Sequence, residues 1–342
     1  MTEKLVSSWF NVESLPEDYI FPEETRPGKF AVVSHRKTVP VIDLKKVSYQ
    51  DRSDLVQQII KASEEFGFFQ VINHGVSMDL VDDTMNVMKE FFNLPAEEKA
   101  SVYSVDPKQC CRLYTSSVNF DREKVHFWRD HLRHPCTPLE ECMKSWPQKP
   151  TRYREVVREY SVELKKLGLR IMELICEGIG LDPRYCENEL SKLVLLSVNH
   201  YPPCPDPSLA LGLPKHADPN LITVLHQGDV YGLQVFKDGE WISVEPLPNA
   251  LVINIGYQLK IISNGRLNSA EHRAVTNSIE ARTSIALFIS PSFDCIVEPA
   301  MGLVNESNPP LFRAFVFKEF LSHYTSNYGE AEAILKHFKL QA

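Results

Sequence analysis

His216 and Asp218 stand two residues apart in LPKHADPNLITVL, Leu213–Leu225, just ahead of a run rich in β-branched and apolar residues. On a strand, positions i and i+2 face the same side, so an imidazole and a carboxylate are expected to converge there. A divalent ion needs a third ligand, and His272 in SAEHRAVT is the best-placed candidate, since its neighbours read as a strand entering a turn. Two histidines and one carboxylate on one face of an octahedron suit a ferrous ion and leave three coordination positions open for chemistry. Alone, an HxD pair reads more readily as a surface pair or a satisfied core histidine. His200 and His226 illustrate that ordinary case, each in a strand with no acid two places on, and neither is assigned to the metal.

Two further pairs at the same spacing add weight. Arg282 and Ser284, in EARTSIALF, direct a guanidinium and a hydroxyl to one side of an otherwise apolar strand. A cation turned into an apolar barrel is costly unless an anion meets it, and a carboxylate can do so through two parallel hydrogen bonds. Asn199 and Tyr201, in SVNHYPPC, form the third pair. Both can donate to an anionic ligand, although by themselves they read better as strand-edge polar residues before a proline turn. Together the three pairs describe a barrel interior with a metal at one end and an arginine deeper in.

Such a site needs short strands to position it. After Leu190, runs such as KLVLLSVNHY, NLITVLHQ, YGLQVF, LVINIG, HRAVTN and RTSIALFIS alternate with turn clusters, the spacing of a sandwich or barrel. Ahead of them, VPVIDL (Val39–Leu44) reads as a short strand, Leu55–Phe66 as an amphipathic helix and FGFFQVINHG as a buried strand. Met78–Phe92 reads as a second helix stopped before Pro95. Glu97–Pro150 reads as irregular, either a linker or pocket-forming loops. Arg152–Leu181 reads as one long helix with Gly168 as the point where it could break, and Val316–Leu340 returns to helix. The fold expected is α+β: a double-stranded β-helix (jelly-roll) core with flanking N-terminal helices, one long helix and a C-terminal helix. The organisation expected is a single unit over 1–342, with a helical region at 39–190, a catalytic core at 191–300 and a C-terminal helical lid at 301–342.

Composition narrows the partners. The formal net charge is −8 over 342 residues, and the basic residues are scattered, which argues against a nucleic-acid partner. No apolar run approaches the roughly 20 residues of a membrane helix, so no membrane association and a cytoplasmic address are expected. The eight cysteines include no CxxC pair and read as reduced thiols. A monomer acting on a small molecule is expected.

The HxD…H set (His216, Asp218, His272), the RxS pair (Arg282, Ser284), NxYPPC at Asn199–Cys204 and FGFFQVINHGV near the N-terminus resemble the plant 2-oxoglutarate and Fe(II)-dependent dioxygenases. The resemblance runs from Val39 to about Tyr324. FFNLPAEEKA and ICEGIGL are similar to hyoscyamine 6-hydroxylase-like members. LPEDYI, RLYTSS and WRDHLR are more similar to the salicylate hydroxylase and flavone synthase-like members linked to downy mildew susceptibility. The resemblance implies that His216, Asp218 and His272 hold Fe(II), with 2-oxoglutarate chelating through its keto acid end. It implies that Arg282 and Ser284 take the distal carboxylate while Asn199 and Tyr201 support the near end. It further implies O2 as the oxidant and ascorbate as the reductant, with succinate and CO2 leaving as the substrate is hydroxylated, desaturated or epoxidised.

Two residues depart from the family pattern. His200 occupies the middle place of an element often written NYYPPC, and alternation should turn it away from the metal. Tyr257, in NIGYQLK, stands where many relatives have an acid, at a turn expected near the pocket mouth. The pocket walls are expected from Arg112, Tyr114, Phe127, Trp128, Ser197 with Leu195, Phe288 and the C-terminal helix, with plain packing as the competing account of each aromatic. Arg112 would suit an anionic substrate and Glu123 a cationic alkaloid, and the sequence leaves both open. Two alternatives share the fold: an ascorbate-dependent oxidase, and a non-catalytic small-molecule-binding protein. The latter should have lost a metal or cosubstrate residue, and none is missing.

Overall fold

The runs of Val, Ile and Leu after residue 190 pair as strands whose two faces differ, as β-branched residues on a half-buried pleat favour. The computed structural model describes residues 5–9, 12–27, 38–45, 49–326 and 331–340. Its helices are α1 (Tyr49–Glu65), α2 (Met78–Phe92), α3 (Ala96–Lys99), α4 (Leu139–Cys142), α5 (Tyr153–Ile179), α6 (Tyr257–Ile262), α7 (Phe317–Ser326) and α8 (Ala331–Phe338). Strands β1 (Val41–Asp43), β2 (Phe68–Ile72), β3 (Arg112–Thr115) and β4 (Asp130–Pro135) precede the long β5 (Leu193–Tyr201). They are followed by β6 (Leu211–His216), β7 (Ile222–His226), β8 (Leu233–Lys237), β9 (Glu240–Ser243), β10 (Leu251–Ile255), β11 (His272–Val275), β12 (Arg282–Ser290), β13 (Ile296–Val297) and β14 (Phe315–Val316).

Two sheets make the barrel. The larger runs β1-β2-β10-β7-β12-β5-β4-β3 and the smaller β6-β11-β8-β9. Only the β1–β2 pairing is parallel in these two sheets. Their inner faces meet where Phe68 and Val252 of the large sheet pack with Leu233, Val235 and Ile242 of the small one. This is the double-stranded β-helix, or jelly roll, with helices on the outer face of the large sheet. Among the described residues no helix is long and apolar enough to cross a membrane, and all eight cysteines are free thiols.

Three expectations need correction. The segment 97–150 is not all loop, since it contains β3 and β4, which extend the large sheet beyond β5. The region 39–190 is therefore not purely helical: it supplies four strands to the barrel. Helix α5 runs unbroken through Gly168. A Cβ there would lie 2.4 Å from Ile289 Cδ1, so the glycine lets the helix settle close onto β12. The helix ends where Gly180 turns left-handed at φ 89° and the Leu181 amide donates to the Cys176 carbonyl at 2.8 Å, closing the helix with the bond that a left-handed glycine allows.

Candidate metal and cosubstrate site

Strand register assembles the three metal-type side chains. His272 on β11 pairs directly with His216 on β6, and their rings stand 4.2 Å apart, centroid to centroid. Asp218, two residues beyond the end of β6, brings Oδ1 to 3.6 Å from His216 Nε2 and 3.7 Å from His272 Nε2. Both distances are shorter than two metal–ligand bonds of ~2.1 Å laid end to end, so one ion can reach all three. All three residues are buried.

The surroundings fix the donor atoms. His216 Nδ1 donates to the Pro214 carbonyl at 2.9 Å and His272 Nδ1 to the Ala270 carbonyl at 3.2 Å. Each bond sets the tautomer that turns the Nε2 lone pair toward Asp218. Burial, reinforced by neighbouring His272, holds the His216 imidazole at about 3, so it is neutral near pH 7, as a ligand must be. Asp218 Oδ2 accepts from Thr223 Oγ1 at 2.6 Å and Asn254 Nδ2 at 2.5 Å. Burial alone would raise the Asp218 pKa. The two imidazoles and these two donors outweigh it and hold the carboxyl below its ordinary value. Two imidazole nitrogens and one carboxylate, each side chain braced by a second contact, fit a ferrous ion.

The remaining pairs share the inward face of the large sheet. Arg282 lies opposite Tyr201, and Ser284 opposite Asn199, across the β12–β5 ladder. The Arg282 guanidinium is 3% exposed, and among the described residues no carboxylate lies within ion-pairing distance. Its Nε donates to the Val230 carbonyl at 3.0 Å, and it sits 5.3 Å over the Tyr201 ring. Gly232 makes room for it, since a Cβ there would lie 2.7 Å from Arg282 Cδ. A buried cation without an internal counter-ion is a site built for an anion.

His200 faces the opposite side, as alternation requires, stacked 4.6 Å from Phe92 and 2.9 Å from the Thr283 hydroxyl. Tyr257 is not at a pocket mouth. It starts α6, is 1% exposed and packs against Phe320 and Tyr324 of α7, while its amide donates to the Asp218 carbonyl at 2.9 Å. Trp128 also lies away from the interior. Its Nε1 donates to the Pro202 carbonyl, and its ring packs edge-on against Trp9 and Tyr19 of the N-terminal segment. Phe127 stacks with Phe21, 6.3 Å between centroids. Arg112, Tyr114, Ser197 and Phe288 do project inward, by their register with Arg133, His131, Ala286 and Thr223. Glu123 is already engaged by the hydroxyls of Ser116 and Ser117 and by His126.

Several residues at the site escaped the sequence reading. Thr223 and Asn254 brace Asp218, Arg129 Nη1 donates to Asn199 Oδ1 at 2.7 Å, and His131 Nε2 lies 2.6 Å from Ser197 Oγ. The i, i+2 series Arg129, His131, Arg133 was the available signal. The hydroxyl of Tyr324, from α7, donates at 3.0 Å to the carbonyl of Ala217, the residue between two of the three candidate ligands. Replacing Tyr324 by Phe is expected to cost about 1 kcal/mol of stability and to weaken Fe(II) binding several-fold. Thermal unfolding with and without Fe(II) checks both, and unchanged values would show the bond to be incidental.

Three such donors converging in a jelly roll, with an arginine deeper inside, define the class of ferrous oxygenases that keep positions open for a cosubstrate. Comparison with known proteins gives the family. Residues 194–291 match the family described as the 2OG-Fe(II) oxygenase superfamily. Residues 39–151 match that described as non-haem dioxygenase in morphine synthesis N-terminal. The chain is 43% identical to hyoscyamine 6-dioxygenase of Hyoscyamus niger over 98% of each protein. It is 42% identical to Protein DOWNY MILDEW RESISTANCE 6 of Arabidopsis thaliana over 99% of each. The solved structure of JOX2 in complex with 2OG, Fe, and JA superposes with a TM-score of 0.86 at 34% identity, covering 98% of this chain and 97% of that one. The chain belongs to the 2OG-Fe(II) oxygenase superfamily, standing between the two groups its motifs resemble. It is an Fe(II)- and 2-oxoglutarate-dependent dioxygenase.

Proposed function

We propose that His216, Asp218 and His272 hold the ferrous ion, that Arg282 and Ser284 grip the distal carboxylate of 2-oxoglutarate, and that Asn199 and Tyr201 steady the cosubstrate between them. The observation that carries this is the shared register: both anion-binding pairs lie opposite one another on one face of β12 and β5, in the barrel that holds the buried triad. When bound, the iron and cosubstrate supply oxygen activation coupled to decarboxylation. The protein's own part is positional. Buried Arg282 orients the diacid end to end. Thr223 and Asn254 hold Asp218 ionised and in place. The apolar strand positions exclude water from the reacting centre.

The substrate enters against the inward face that carries Ser197, Leu195 and Phe288, and it is hydroxylated, desaturated or epoxidised there. Residues 191–300 form the catalytic core, 39–190 its support and 301–342 a lid. On the same reading the protein is a cytoplasmic monomer that uses ascorbate to restore ferrous iron. Purified protein given Fe(II), 2-oxoglutarate and ascorbate should form one succinate per substrate consumed from a panel of phenolic acids, flavanones and tropane-type alkaloids. Product mass distinguishes a gained oxygen from two lost hydrogens, and substrate oxidation with no succinate would defeat the reading.

Arg282→Ala should raise the KM for 2-oxoglutarate at least ~30-fold and leave Fe(II) retention unchanged. Among the described residues no buried acid depends on that arginine, so the variant should fold. Equal losses of iron and cosubstrate binding would mark Arg282 as structural.

A further inference from the structure

Taking the 2-oxoglutarate oxygenase reading above as given, we propose that the substrate is an anion, a carboxylate on an apolar skeleton, received by Arg112 and Arg133. The two arginines stand directly opposite each other across the β3–β4 ladder, and Arg133 lies opposite Ser197 on β5. Residues opposed in this way share a face, so both project to the side that carries Asn199 and Ser284. Directly opposed side chains have Cβ atoms about 5 Å apart, where like charges repel.

Among the described residues none forms an ion pair with them: no carboxylate lies within ion-pairing distance of Arg112, Arg129 or Arg133. Arg112 Nε and His131 Nδ1 are both buried without a hydrogen-bond partner. Burial, with Arg133 adding to it, lowers the pKa of Arg112, and Asp106 offsets this only from beyond ion-pair range. Nearby acids are turned elsewhere. Asp130 faces the opposite side and accepts the amides of Val6 and Ser7 at 2.9 and 2.8 Å. Glu123 is held by Ser116, Ser117 and His126. A chain of net charge −8 thus turns three guanidiniums to one interior face and supplies no counter-ion for them.

The cosubstrate does not explain this group. Arg282 and Ser284 lie at the level of Tyr201 and Asn199, whereas Arg133 lies at the level of Ser197, one two-residue step, about 7 Å, further along the strands. The diacid has its own arginine. A second anion is needed at the Arg112–Arg133 level, where half-buried Leu195 and Phe288 and the ring of Tyr114 offer apolar contacts. Arg129, bonded to Asn199 Oδ1 and the Ser116 carbonyl, is a positioning residue between the two anions. An alkaloid cation has no carboxylate to meet on this face.

The test compares benzoic, phenylacetic and cinnamic acids with their methyl esters and the corresponding primary amines. Binding to the Fe(II)- and 2-oxoglutarate-loaded enzyme is measured by calorimetry, and turnover by substrate-dependent succinate. Free acids should bind or turn over at least about 10-fold better than their esters and amines. Arg112→Gln and Arg133→Gln should weaken the acids about 10- to 100-fold, narrow the acid-to-ester ratio toward one and leave the 2-oxoglutarate KM unchanged. Because each variant relieves a like-charge contact, the unliganded protein should keep or raise its Tm. The proposal is overturned by amines or esters that match the acids, by acids that neither bind nor react, by variants that lose 2-oxoglutarate instead, or by a fall in Tm. Failure of the parent reading is separate and shows as wild-type protein that does not bind 2-oxoglutarate with Fe(II).

Discussion

Asp218→Asn should lose more than ~100-fold in Fe(II) affinity, and with it all turnover, while the fold survives. The reason lies in the division of labour between the two oxygens. Oδ2 takes the hydrogen bonds from Thr223 and Asn254, while Oδ1 stands 3.6 and 3.7 Å from the two histidine Nε2 atoms. An asparagine can keep its carbonyl oxygen where Oδ2 was and so satisfy both buried donors. The amide nitrogen then replaces Oδ1, and a neutral donor cannot ligate a cation. Equilibrium dialysis against Fe(II) with metal analysis measures the first effect and thermal unfolding the second. A variant that binds iron normally but melts early would show that Asp218 serves the fold and not the ion.

Acid should begin to destabilise the protein well above the range in which its carboxylates titrate. Burial holds the imidazoles of His134 and His200 at about 3 in the folded chain, against about 6.5 when unfolded. The unfolded chain therefore binds protons first. Stability is full above about pH 6.5 and falls as pH drops toward 3. By pH 5 each imidazole costs about 2 kcal/mol, so the pair removes about 4 from a total that is typically about 5–15. Burial, together with the nearby arginines, drives His131 the same way. Asp130, whose pKa burial raises, works in the opposite direction but is one group against three. Urea midpoints at pH 7.5, 6 and 5 should decline steeply between the last two, and a flat series would mean that water reaches these rings.

The i, i+2 spacing made the Arg282–Ser284 and Asn199–Tyr201 pairs legible, because strand alternation is a geometric rule that survives whatever the chain packs against. His200 could be turned away from the metal on the same ground. The triad differs, since β6 ends at His216 and it is the turn beyond it that brings Asp218 back to the two imidazoles. What stayed hidden was β3 and β4. In DHLRHP the inward positions carry His and Arg and the outward ones Asp, Leu and His, so the usual alternation of apolar and polar residues is absent. The arginines that obscured the strand from the sequence are those that give its inner face a chemical role. For Trp128 the packing account holds, since Trp9 and Tyr19 of the N-terminal segment fold back to cover it. Asn254 and Tyr324 act on residues 36 and 107 positions away, and Thr223, though only five positions from Asp218, sits in an apolar strand run, so nothing in their local sequence marks them.

Tyr324 ties the C-terminal helix α7 to the centre of the barrel. A helix that begins at Phe317 reaches back to the peptide linking two candidate ligands, so the tail is part of the metal cradle and not an appendage to it. Exchanging C-terminal segments between relatives would therefore exchange part of the iron's surroundings, and a chimera designed to swap only the entrance would carry an altered centre with it.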